Sequence, residues 1–166
     1  DEEGRPVPFQ LVESLAVVES RTRLCFTAEL PPLGYRVYKV RPRRGENAGA
    51  ASQPAPPLSG EFQLENEFFR IRICPDTGAI ADWFDKNSGR SVFRGPAAVP
   101  AVYNDESDTW SHGVFSFQEE IGRFGKVRIR AVEQGPVRSV IRVTSRYGAS
   151  IFMQDFTVYA GLDYVD

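Results

Sequence analysis

The chain has 166 residues, with 22 acidic against 20 basic side chains and a formal net charge of −2. That length allows one domain or two small ones, with roughly 70% of the unfolded chain's surface removed from water on folding. Balanced charge offers no electrostatic grip on nucleic acid or anionic lipid. No apolar run approaches the ~20 residues that cross a bilayer.

In chain order, the first strand signal is Leu24, Phe26 and Ala28 alternating with Arg23, Cys25 and Thr27. Leu30-Pro31-Pro32-Leu33-Gly34 reads as a turn, since two prolines and a glycine break both helix and ladder. Tyr35 to Val40 reads as a strand from its aromatic and β-branched content. The basic residues Arg36, Lys39, Arg41, Arg43 and Arg44 read as a solvated strand end running into a linker. Residues 41–60 are that linker, being rich in Pro, Gly and Ala and too poor in apolar anchors to offset their ordering entropy. Residues 1–40 are thus expected to be the end of a small β-sandwich unit. The charged Asp1 and the lack of a leader pattern are expected of a segment lying inside a longer protein.

Residues 61–166 read as strand after strand. Phe69, Ile71 and Ile73 face one way, and Arg70 and Arg72 the other. Pro75-Asp76-Thr77-Gly78 is a turn, Ile80 to Phe84 a strand, Asp85 to Gly89 a second turn, and Arg90 to Phe93 a further strand. Val127, Ile129 and Ala131 alternate with Arg128 and Arg130. Gly135-Pro136 interrupts, and Val137 to Val143 returns. Ser150 to Tyr159 is apolar on both sides in places, the pattern of a central strand. The alternating arginines read as a solvated sheet face. No segment carries a helical period, so the fold class is all-β: an antiparallel sandwich preceded by part of a smaller β-unit. Cys25 and Cys74 are too few for a disulfide framework or a zinc cluster. They are expected as buried free thiols, with a single bridge as the alternative. Unpaired thiols make the cytoplasm the default location.

Between these strands, Tyr103 to Gly113 gathers three acids, Trp110 and the chain's one histidine, His112, without hydrophobic period. It reads as an ordered loop. Asp105, Asp108 and His112 could offer zinc ligands, but one imidazole in an all-loop set is a poor match to catalytic zinc. Asp105, Glu106 and Asp108 could offer the paired carboxyls of a glycosidase. Ser111, His112 and Asp108 could be drawn as a triad, although neighbours in one loop rarely reach relay geometry and no nucleophile elbow is present. Gly122 and Gly125 lack the strand-to-helix context of a phosphate loop. The composition suits sugar contact better: an aromatic ring covers a pyranose face while carboxylates accept hydroxyl hydrogen bonds. Tyr103, Asp105, Asp108, Trp110 and His112 are the substrate-contact candidates. The alternative is that Trp110 plugs the end of the sandwich. No residue is assigned a catalytic or metal-binding role.

Three pieces resemble the C-terminal β-domains of glycoside hydrolase family 38, the α-mannosidases. Leu30 to Tyr38 is similar to that family's entry into its linker. Leu64-Glu65-Asn66-Glu67-Phe68-Phe69-Arg70-Ile71-Arg72-Ile73, with Asp76 to Ile80 and Phe84-Asp85-Lys86, resembles the opening hairpin of its large sandwich. Asp108-Thr109-Trp110-Ser111-His112-Gly113, with Gly135-Pro136-Val137-Arg138 after it, is the third. The resemblance implies a supersandwich of the galactose-mutarotase-like kind, from a retaining α-mannosidase acting on mannosides. That enzyme's N-terminal barrel would hold zinc and the catalytic carboxylates. The His-x-Asp type motif that supplies zinc ligands there has no counterpart in this sequence, so no cofactor is expected in this part. The implied partners are the barrel and its sugar, with the 103–113 loop at one edge of the pocket. Mutarotase activity is not expected, because the one histidine lies in a loop. Two other readings stand beside this one: a stand-alone carbohydrate-binding module and a purely structural sandwich.

Overall fold

A computed structural model describes residues 1–12, 23–41 and 62–166. The expected linker, apart from Arg41, lies outside the described residues. Eleven strands are present among those described, and no helix. Strands β1 (Phe9–Val12) and β2 (Arg23–Phe26) pair antiparallel, with Gln10 opposite Cys25. Strands β3 (Phe62–Glu65), β4 (Phe69–Ile73), β5 (Ile80–Asp85) and β6 (Arg90–Ser91) form one antiparallel sheet in chain order. Strands β7 (Ala101–Tyr103) and β8 (Glu120–Arg123) make a separate ribbon. Strands β9 (Gly125–Gln134), β10 (Arg138–Tyr147) and β11 (Ser150–Tyr159) form a second long sheet with β10 at its centre.

The core lies between the two larger sheets. Leu64, Ile71, Ile73 and Ile80 from one meet Ile141, Val143, Phe156 and Val158 from the other. Alternation explains the choice: Ile71 and Ile73 are buried while the intervening Arg72 is exposed. Val127 and Ile129 add a partly buried margin. Turn chemistry closes the hairpins. The Gly78 amide donates to the Cys74 carbonyl at 2.8 Å, and Gly78 holds φ +71°. Gly89 ends the next turn at φ +65°, where Asp85 accepts from the amides of Asn87 and Ser88.

Two side chains tie distant parts together. Asn66 Oδ1 accepts from the Phe68 and Phe69 amides, while its Nδ2 donates to the carbonyls of Tyr159 and Leu162. Gln10 is 1% exposed, and its Oε1 accepts from the Arg138 amide at 3.1 Å, so β1 is anchored at the start of β10. A Cβ at Gly135 would collide with that glutamine, which explains a glycine there.

Several sequence expectations need correction. Tyr35 to Val40 forms no strand among the described residues. Its Tyr38 hydroxyl instead accepts from the Glu29 amide, and its ring packs on Phe26 at 4.9 Å. The expected strand from Arg90 to Phe93 stops at Ser91. Ser150 to Tyr159 is an edge strand, not a central one: Ile151 and Met153 are exposed because β11 has only β10 as a full-length neighbour. Both cysteines are free, as expected, but half-buried.

Candidate functional site

The ribbon β7–β8 carries the loop singled out in the sequence. It docks against the Tyr147 end of the long sheet. Phe124 packs on Tyr147 and Phe152 at 5.9 and 5.4 Å, and Gln154 donates to the Ala98 carbonyl at 3.2 Å. Gly122 faces the Tyr147 ring so closely that no Cβ would fit. At the loop's base Tyr103 lies opposite Glu120. Asn104 then clamps the two ends. Its amide donates to the Glu119 carbonyl at 2.9 Å, and its side chain donates to the Glu119 carboxylate at 3.0 Å.

Within the loop, Asp108 organises the turn. Its Oδ1 accepts from the amides of Trp110 and His112, each at 3.1 Å, and its Oδ2 lies 2.7 Å from His112 Nδ1. The Asp108 carbonyl accepts from the Ser111 amide at 3.0 Å. This geometry holds Ser111 at φ +54° and Gly113 at φ +75°. The left-handed conformation disfavours a serine, and the bonds to Asp108 offset that cost. His112, with the backbone amides of His112 and Trp110, holds the Asp108 carboxyl below its ordinary range. Asp105 is lowered too, chiefly by the Ser107 hydroxyl and then by the Ser107 amide.

The five candidates therefore separate into three groups. Asp108, Trp110 and His112 share one turn. Asp105 belongs to the adjoining turn with Ser107, whose hydroxyl reaches Ser111 Oγ at 3.5 Å and so links the two. Tyr103 stands at the base, 44% exposed. Trp110 does not plug the sandwich: it is 81% exposed. The triad drawing fails, because the Ser111 hydroxyl faces Ser107 while Asp108 and His112 pair without it. Among the described residues no three of His, Cys, Asp and Glu converge on a metal-sized gap. The donor set here does not fit zinc, since no second and third ligand converge with the single imidazole among the described residues. Asp108 spends both oxygens on the loop, whereas Trp110 offers an open aromatic face.

Sequence reasoning ended the site at Gly113 and missed the aromatics beyond it. Phe115 is 99% exposed and Phe117 47% exposed, so bare rings continue past the turn. Their signal was visible: two phenylalanines spaced by Ser116 in a segment with no strand-length pattern. Asn104 and Glu119 were missed as clamps, because fifteen residues separate them and only the β7–β8 pairing brings them together.

The family model described as the glycosyl hydrolases family 38 C-terminal domain matches residues 64–166. That span covers β4 to β11, part of β3, and the whole loop. No curated protein matches the chain, and no solved structure does.

Proposed function

Because this chain belongs to the family of glycosyl hydrolase family 38 C-terminal domains, we propose that it serves as a non-catalytic β-domain of an α-mannosidase-like glycoside hydrolase. It braces a catalytic barrel and lends its 103–113 loop to one edge of the sugar pocket. Zinc and the catalytic carboxylates reside in the barrel.

The observation that carries this reading is Trp110, 81% exposed on a loop whose shape is held by Asp108. An exposed indole costs free energy in water and is favourable once a flat apolar surface covers it. The apolar face of a pyranose is such a surface. His112 and Asp105, both exposed, stand ready for its hydroxyls, while Asp108 acts through the loop's shape. Tyr103, Phe115 and Phe117 are exposed as well and would add aromatic surface to such a contact.

Kinetics of the parent enzyme test this. Trp110→Ala is expected to raise KM about tenfold, equal to about 1.4 kcal/mol of lost binding, with kcat little changed. Unaltered KM would remove Trp110 from the pocket. Calorimetry on the isolated chain separates the rival binding-module reading. The accessory role predicts little heat with mannosides, whereas saturable binding would favour an independent module.

A further inference from the structure

The outer face of the β9–β10–β11 sheet carries a grid of arginines that the proposed function does not use. Register places Arg130 directly opposite Arg142, which in turn lies opposite Asp155. The next row is Arg128, Thr144 and Met153, and beyond it Arg146 lies opposite Ile151. Ile129, Ile141 and Val143 turn into the core, so these alternate residues turn away from it.

Four guanidinium groups and one carboxylate leave three net positive charges on this face, in a chain whose net charge is −2. Asp155 engages Arg142 through two bonds of 2.7 and 2.6 Å. Arg128, Arg130 and Arg146 are exposed and have no acidic partner among the described residues. Asp155 offsets the charge of Arg142, whereas Arg130 directly opposite it has a like-charged neighbour across the ladder and faces solvent. Beside the cations, Ile151 and Met153 are 55% and 62% exposed.

We propose that this face docks a protein surface bearing carboxylates next to apolar side chains. Guanidinium forks match carboxylates with paired hydrogen bonds, and arginine and methionine are both enriched at protein interfaces. The apolar pair argues for protein over a phosphate polymer, which would leave Ile151 and Met153 without a counterpart. This inference does not rest on the sugar-pocket role, since the grid lies in the sheet and not in the loop.

The test is an NMR titration of the chain with a soluble peptide alternating glutamate and leucine, with inorganic polyphosphate in parallel. The peptide is expected to shift amides at Arg128, Arg130, Arg146 and Met153, and to bind more weakly as salt rises. The double substitution Arg128→Gln/Arg130→Gln should weaken it about tenfold or more, and Met153→Ser about threefold. All these positions are exposed, and circular dichroism verifies that each variant keeps its β spectrum. Arg146→Gln supplies an independent cation variant should the double substitution disturb the fold. Absence of binding at millimolar peptide would overturn the proposal. So would polyphosphate binding as tightly as peptide, or binding that the arginine substitutions leave unchanged, as pairing along the β11 edge would.

Discussion

Asp108 shows how one side chain can set the shape of a loop. Its carboxylate accepts from two backbone amides and meets the His112 ring. The composition around it suggested a sugar-binding acid, and its geometry adds a supporting role in the Trp110 turn. The distinction was invisible in sequence, because Asp-x-Trp-x-His serves either purpose until the φ of Ser111 is known. The same bonds make the loop sensitive to acid. Asp108 and Asp105 have folded pKa values below their ordinary ones. Their contribution to loop order is therefore present above the ordinary carboxylate pKa and disappears as pH falls through the lowered folded values. The amide resonances of Trp110 and His112 should thus move together below about pH 4. Asp108→Asn should abolish that movement; an identical acid transition in the variant would contradict the assigned role. A second residue-scale prediction concerns Arg138, which holds Glu133 by two bonds of 2.6 and 2.8 Å in a largely buried pair. That contact keeps the guanidinium pKa raised above its ordinary value. Glu133→Gln should lower unfolding free energy by about 1.5–3 kcal/mol in urea titration.

At the scale of elements, period-two alternation identified β2, β4 and β9, while the apolar runs between turn signals identified β5 and part of β10. What alternation could not show was rank within a sheet. Ser150 to Tyr159 has the composition of a central strand, yet β10 takes the centre, and Ile151 and Met153 stay exposed on the edge. The ribbon β7–β8 also escaped the sequence, because strands of three and four residues carry too few alternations to register. Tyr35 to Val40 erred the other way: its residues suit a strand, but pairing needs a neighbour, and Tyr38 satisfies itself at Glu29 and Phe26. Gly78 joins two elements. It sits at φ +71° under Val143 and Val127, so a methyl group would meet both the backbone preference and the core. Gly78→Ala should cost about 2 kcal/mol or more, read as a lower urea midpoint with the slope retained.

On the scale of the whole molecule, the two larger sheets enclose one core, and the candidate loop projects from the Tyr147 end of the long sheet. Of the three pieces that carried the family resemblance, the Leu64 hairpin and the Asp108–Gly113 turn with Gly135–Arg138 lie within the matched residues 64–166, and Leu30 to Tyr38 lies before them. The role of each residue was less legible, since exposure of Trp110, Phe115 and Phe117 depends on how far the ribbon stands from the core. The exposed aromatics of the loop and the arginine grid of the long sheet are the two surfaces on which the proposed contacts rest. The proposed supporting role calls for no bond cleavage by this chain itself. The most direct measurement is turnover of an aryl α-mannoside by the purified 166-residue chain, with zinc supplied. The account predicts release no faster than the buffer blank; sustained release proportional to protein concentration would contradict it.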